Sequence, residues 1–171
     1  MDGSLMLNLL ALAVSIGALT TSVAASRRQL RLAHNSNVLP IIIEMFKETR
    51  TTDFLRSVEY IRSELSAQHV HTDGYRHLPV EPREHIRRVG QFYDDIGKLV
   101  AHGVVDERLV LGSYSVNVQR MWQALAPYIY SERAQHGTLT MTYFEDLAAR
   151  ARLTPGPEIH TDLGLRRLPP V

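Results

Sequence analysis

The sequence predicts an all-α protein in which a single N-terminal transmembrane helix precedes a small bundle of about five helices. The first observation is Leu5–Ala25, a stretch of 21 residues without a charged side chain. The second is that apolar residues behind it recur at steps of three and four, the period of an amphipathic helix. The third is the absence of sustained alternation with period two, since only Leu139–Tyr143 alternates briefly.

Leu5–Ala25 is interpreted as a membrane span because its length matches a bilayer. At about 1.5 Å per residue it extends roughly 31 Å, close to the thickness of the hydrocarbon core. A cleaved signal peptide is an alternative, since Ser22 to Ala24 resemble a cleavage site, but no basic residue precedes the apolar run. A soluble or coiled helix is another, and an in-plane helix would need a charged face that is missing here.

Charge predicts the orientation of this helix. Arg27, Arg28 and Arg31 follow the apolar run, whereas only Asp2 precedes it. The positive-inside rule then places residues 1–4 outside the cell and the basic juxtamembrane segment 26–37 in the cytoplasm. We therefore expect a single-pass protein of the inner or plasma membrane, with membrane lipid as one partner and the C-terminal domain in the cytoplasm.

Small residues mark one face of the predicted anchor. Ala13, Gly17 and Thr21 recur every four residues, a spacing that lets two membrane helices approach closely. This stripe predicts a homo-oligomer formed through the anchor helix.

The helical domain is expected over residues 38–153, and its first half contains two helices and a long loop. Val38–Thr49 reads as a helix with a proline in its first turn, where proline is tolerated. A second helix runs from a cap at Thr51 to about Ala67. Gln68–Pro82 has two prolines, a glycine and no apolar period, which predicts an irregular segment.

A third helix starts at Pro82 or Arg83 and has a well-marked end. Gly103 can adopt the left-handed C′ position, and Asp106 can cap the next, short helix. Gly90 and Gly97 are seven residues apart and therefore share one face. They predict a close crossing with a neighbouring helix.

The last part of the domain is expected to be more broken. Gly112 should end the short helix, and a new helix should follow from about Ser115. Pro127 should kink or break this second helix. Trp122 is expected in the core. A final helix should start near Thr142 with a capping box that includes Glu145, and the proline-rich residues 154–171 are expected to be a disordered tail.

Three segments together resemble a known family. They are VGQFYDDIGKLVAHGVVDERLV (Val89–Val110), MWQALAPYIYSER (Met121–Arg133) and YFEDLA (Tyr143–Ala148), behind an anchor helix. The pattern, over about Asn35–Arg152, is similar to a bacterial family of short, often membrane-anchored helical proteins, domain-of-unknown-function family 4760. The resemblance implies a small helical fold and brings no activity, so it assigns no catalytic residue.

Composition argues against several classes of function. The net charge is +1 and no basic stripe is visible, so we expect no nucleic-acid partner. The chain lacks cysteine, which excludes thiolate chemistry. No phosphate-cradling glycine loop is present, and no cofactor is predicted.

Histidines are the strongest candidates for chemistry. His69, His71 and His77 share the irregular segment, and His85 follows on the next helix. They are weak candidates for a zinc site, because their spacing matches no closed structural site. A metal-dependent hydrolase using them is the alternative function.

Other residue pairs are less suited to catalysis. Asp94 and Asp95 could act as paired carboxylates, but consecutive helix residues point about 100° apart. Ser113 and Ser115 do not lie in the G-x-S-x-G motif of a nucleophile elbow, and we interpret them as residues at the start of a helix. No other group of residues is suited to catalysis, so we expect no catalytic residue. We expect a protein-interaction or regulatory module at the membrane with an unidentified protein partner.

Overall fold

The computed structural model describes residues 12, 14–23, 38–166 and 168. In these residues the chain forms α-helices and one short 3₁₀-helix, without a β-strand, which confirms the predicted all-α class. The chain divides into two compact units, Met1–Glu44 and Met45–Val171.

In the first unit, residues 14–23 form helix α1. Thr20 and Thr21 donate hydrogen bonds from Oγ1 to the carbonyl oxygen of Gly17 at 2.9 Å, so these hydroxyls are satisfied within the helix. Among the helices of the described residues, none combines the length and apolarity that crossing a membrane requires. The predicted anchor Leu5–Ala25, of which residues 12 and 14–23 are described, therefore gains no support here. Residues 1–4 and 26–37 lie outside the described part.

Seven further α-helices and one 3₁₀-helix follow in the described residues. Residues 38–48 form α2. The others are α3 (Thr52–Ser63), α4 (Leu65–Gln68), a 3₁₀-helix (Tyr75–His77), α5 (Val80–Ala101), α6 (Glu107–His136), α7 (Thr142–Leu153) and α8 (Gly156–Asp162). The helix expected to reach Ala67 divides at Glu64, and the segment expected to be irregular contains the 3₁₀-helix.

Helices α5 and α7 approach each other closely at two glycines. A Cβ atom added to Gly97 would lie 2.2 Å from the carbonyl oxygen of Tyr143, and one added to Gly90 would lie 2.5 Å from Met141 Cε. Only hydrogen fits at Gly97, because the opposing atom belongs to the backbone. The predicted close crossing is confirmed.

The start of α7 is capped from another helix. Asp94 on α5 accepts hydrogen bonds at Oδ1 from the backbone N–H groups of Tyr143 (2.9 Å) and Phe144 (3.0 Å). The residue before the helix, Met141, has φ +56° and provides no side-chain cap. The predicted capping box was therefore wrong, since Glu145 instead accepts hydrogen bonds from Tyr130 and Arg133.

The junction between α5 and α6 follows the prediction. Gly103 has φ +67°, the Gly103 N–H donates to Val100 O at 2.9 Å, and the Val104 N–H donates to Leu99 O at 2.8 Å. This is a Schellman ending. Asp106 caps α6 by accepting from two backbone N–H groups.

The expected interruptions of α6 were wrong. The helix is continuous from Glu107 to His136, through Gly112 and Pro127. Pro127 is exposed, whereas Leu125, Tyr128 and Ile129 around it are at most 2% exposed. Burial of these side chains outweighs the local cost of an internal proline, about 3 kcal/mol.

The expected disordered tail was wrong for Gly156–Asp162, because this segment packs on α6. Ile159 is 1% exposed, and His160 Nε2 lies 2.7 Å from the carbonyl oxygen of Gly112. Ser115 is buried in the middle of α6 and accepts a hydrogen bond from the Gly156 N–H at 3.1 Å. Gly112 is thus where α8 packs, and Ser115 does not start a helix.

The core is centred on an aromatic ring of α7. Phe144 is fully buried, and its ring centroid lies 5.1 Å from that of Tyr93 on α5 and 5.1 Å from that of Trp122 on α6. Trp122 itself is half-buried, so it borders the core where full burial was expected. The side chains buried with Phe144 include Ile86, Ile96, Leu111, Met121, Leu125, Ile129 and Leu147.

Candidate functional site

The four candidate histidines occupy three different environments. His69 and His85 line one cleft, whereas His71 lies edge-on to Tyr128 and His77 stacks with His136, each pair with centroids 6.0 Å apart. Among the described residues, no three His, Asp or Glu side chains are arranged to hold a metal ion. The metal-dependent hydrolase hypothesis therefore gains no support from this part of the chain.

The cleft that contains His69 and His85 is the candidate functional site. It has a volume of about 430 Å³ and lies between α3, α4 and the first turns of α5. We call it the Tyr60 cleft, after the aromatic residue in its wall. Its lining consists of Arg56, Glu59, Tyr60, Glu64, Gln68, His69, Pro79, Glu81, Pro82 and His85.

Helical periodicity brings these residues together. Glu81 and His85 are four residues apart on α5 and therefore lie on the same face. Pro82, between them, sits in the first turn of α5, where the missing N–H costs no helical bond.

His85 is held by a short chain of hydrogen bonds from α3. Ser57 Oγ donates to the carbonyl oxygen of Asp53 at 2.8 Å, and it lies 3.0 Å from His85 Nδ1. Because the serine has only one proton, it must accept from His85 Nδ1–H. This tautomer leaves Nε2 of the neutral imidazole as a hydrogen-bond acceptor.

A second chain of polar contacts fixes Tyr60. Its hydroxyl lies 3.1 Å from His69 Nε2 and 3.5 Å from Gln68 Oε1, while Gln68 Nε2 donates to Glu64 Oε2 at 3.0 Å. Burial, followed by the negative charges of Glu64 and Glu81, raises the pKa of Tyr60. The phenol therefore remains protonated at neutral pH.

The cleft is rich in acceptors and negative charge. Three carboxylates, of Glu59, Glu64 and Glu81, face a single guanidinium, that of Arg56. The rings of Tyr60 and His85 lie 4.6 Å apart at 33° and form an aromatic wall. Carboxylates beside an aromatic ring suit an ammonium or guanidinium group, which can donate hydrogen bonds and lie over the ring face.

Sequence reasoning missed most of this site. Tyr60, Glu64 and Glu81 were not singled out, because only folding brings α3 and α5 together. A signal was present in the four-residue spacing of Glu81 and His85, but such a spacing is common on exposed helix faces.

The remaining candidate residues lie elsewhere. Asp94 caps α7 and Asp95 lies 3.3 Å from Lys98, so they do not form a paired-carboxylate base. Gly17 and Thr21 lie on α1. Ala13 of the small-residue stripe and the topology arginines Arg27, Arg28 and Arg31 are outside the described residues.

Comparison with known proteins identifies the family of the chain. The family model described as Domain of unknown function (DUF4760) matches residues 5–151, and the chain belongs to this family. The match covers the resemblance found over Asn35–Arg152 almost entirely and also includes the apolar stretch. No curated protein and no solved structure matches the chain.

Proposed function

We propose that the protein is a membrane-anchored interaction module whose Tyr60 cleft holds a lysine or arginine side chain of a partner protein. The observation that carries the proposal is the excess of carboxylates around an aromatic wall in a cleft of about 430 Å³. A cavity of this size lies in the range of small-group binding sites, about 300–1,000 Å³, and accommodates one long basic side chain.

The chemistry of the lining supports a donor-rich, cationic group. Glu64, Glu81 and His85 Nε2 present acceptors, and the Tyr60 ring offers an electron-rich face. An anionic ligand would meet three carboxylates. An apolar ligand would leave these polar groups without partners, which is unfavourable.

The anchoring part of the proposal comes from the sequence. Leu5–Ala25 has the length and composition of a span, and Arg27, Arg28 and Arg31 favour a cytoplasmic domain. The family match begins at residue 5, where this stretch begins. On this proposal the module acts on partners at the membrane surface.

Peptide binding to the full-length protein tests the cleft. We expect acetyl-Gly-Arg-Gly-amide to shift the NMR signals of Tyr60 and His85, and the peptide with neutral citrulline in place of arginine to leave them unchanged. Replacing Glu64→Gln and Glu81→Gln together should weaken arginine binding about tenfold, because a hydrogen bond to a charged group contributes about 1.5–3 kcal/mol.

The control is Glu158→Gln, which removes one negative charge, where the double variant removes two, from an exposed position on α8. This variant should bind as the unchanged protein does. Equal binding of the arginine and citrulline peptides, or an equal loss in the Glu158 variant, would refute an acidic site that is specific for a basic side chain.

Anchoring is tested separately by alkaline carbonate extraction of membranes. The full-length protein should stay with the lipid, and a form lacking residues 1–26 should be released. Release of the full-length protein would contradict the anchor.

Self-association through the anchor is tested by Gly17→Leu in a membrane-helix association assay. Filling the small-residue stripe should lower the dimer signal. An unchanged signal would exclude this interface and leave the cleft proposal unaffected.

A further inference from the structure

A second cleft lies beside α5, and its charge is opposite to that of the Tyr60 cleft. It has a volume of about 440 Å³, and we call it the arginine cleft for Arg76, Arg83 and Arg87. The other residues of its lining are Tyr75, Val80, Glu84, Gln91 and Thr140. A shallower depression shares Glu84, Arg87 and Gln91 with it and adds Arg88.

One wall of the arginine cleft is firmly held. Glu132 on α6 is fully buried, its Oε1 lies 2.9 Å from Arg76 Nε, and its Oε2 accepts from the Arg76 backbone N–H at 3.1 Å. Gly74 has φ +74°, and a Cβ there would lie 2.7 Å from Glu132 Oε2. The buried carboxylate therefore fixes the backbone of this turn and the inner edge of the Arg76 guanidinium.

The terminal nitrogens of the Arg76 guanidinium are available to bind another group. The side chain of Arg76 is 52% exposed, and its terminal nitrogens make no bond with a described residue. The Arg76 carbonyl oxygen accepts a hydrogen bond from Arg83 Nη1 at 3.3 Å, which places the second arginine beside the first.

The other arginines of the cleft have no partner of opposite charge among the described residues. Arg83 and Arg87 are four residues apart on α5, and neither forms an ion pair with a described residue. Glu84 is the acid of the lining, and it too forms no ion pair within the described part of the chain. Like charges on one helix face repel, so a bound anion would relieve this repulsion.

From these observations we infer that the arginine cleft binds a phosphate group. Guanidinium groups bind oxyanions with paired N–H donors, and several of them together favour a doubly charged anion over a single carboxylate. Tyr75 and Thr140 share a hydrogen bond between hydroxyl oxygens 3.5 Å apart, which leaves one of the two hydroxyl protons as a neutral donor. The phosphate can come from a soluble molecule or from a lipid headgroup.

Arginine-detected NMR on the full-length protein tests this inference, using the Nε–H signals of Arg76, Arg83 and Arg87. Two samples are compared, one in phosphatidylcholine nanodiscs titrated with inorganic phosphate and one in nanodiscs that also contain phosphatidic acid. Shifts upon adding inorganic phosphate would assign the site to soluble phosphates. Shifts that occur only in the nanodiscs with phosphatidic acid would assign it to a lipid headgroup. Unchanged signals in both samples would overturn the inference.

Charge-removing variants make the test specific. Arg87→Gln should weaken phosphate binding about tenfold, because charge-assisted hydrogen bonds are lost. It should leave the unfolding temperature unchanged, since Arg87 forms no ion pair with a described residue. Arg120→Gln on α6, exposed and outside both clefts, is the control and should bind phosphate normally. Equal weakening in both variants would show general charge attraction only and overturn a built site.

Discussion

The two halves of α5 differ in what surrounds them. The part from Gly90 onward, which includes Gly97, packs closely against the start of α7, and Asp94 in this part caps that helix. The N-terminal half contributes Glu81 and His85 to an acidic cleft, and Arg83 and Arg87 to a basic one. One helix therefore combines a tightly packed end with an end that carries charged, accessible grooves.

This difference separates stability from recognition along the chain. At the packed end Asp94 and Gly97 are used in the contact with α7, so substitutions of these two residues should change folding. At the charged end Arg87 is exposed and forms no ion pair with a described residue, so its substitution should change binding and spare the fold.

The largest effect is expected at Gly97. Gly97→Ala should destabilise the fold by about 3 kcal/mol, because its methyl group overlaps a backbone oxygen of α7 and overpacking costs about 1–3 kcal/mol or more. Gly90→Ala is the control, since it meets the flexible end of Met141 and should cost about 1 kcal/mol or less. Urea unfolding measures both, and equal costs would contradict a backbone contact at Gly97.

The next effect concerns the cap supplied by α5. Asp94→Ala should cost about 1–2 kcal/mol, as expected for loss of an N-cap. The neighbouring Asp95→Ala should stay within about 0.5 kcal/mol, because its ion pair with Lys98 is exposed. If thermal unfolding shows the reverse order, the two aspartates have been assigned the wrong roles.

The smallest effect concerns pH. Burial raises the pKa of Glu145, but hydrogen bonds from Tyr130 and Arg133 outweigh it and hold the pKa below its ordinary value. A lowered folded-state pKa stabilises the fold above the unfolded-state value, about 4.3, and this contribution disappears as pH falls through the folded-state pKa. Glu145→Gln should therefore lower the unfolding temperature at pH 7 and lose this effect in strong acid. A difference that grows toward low pH would contradict the sign.

Local signals explain which parts of the fold were predictable. The end of α5 depends on Gly103 and the start of α6 on Asp106, and both act within a few residues. The close crossing at Gly97 was predictable because Gly90 and Gly97 lie on the same face of the helix. The two helix ends are determined by nearby residues, whereas the glycine spacing predicted a crossing without identifying α7 as its partner.

Tertiary packing explains what was missed. Gly112 looked like a helix breaker, yet α8 covers it, and Pro127 is tolerated because its neighbours are buried. The cap of α7 comes from Asp94, which lies 49 residues before Tyr143. The Tyr60 cleft likewise needs α3 and α5 side by side, so its acceptors could not be grouped from spacing.

The most direct test of the account is to locate a bound basic side chain. Intermolecular NMR contacts should be measured between the arginine methylenes of acetyl-Gly-Arg-Gly-amide and the full-length protein. We predict contacts to the Tyr60 ring and to His85, and loss of the contact to His85 in Tyr60→Leu. Contacts confined to other surfaces, or none at a concentration that saturates binding, would contradict the assignment of the Tyr60 cleft.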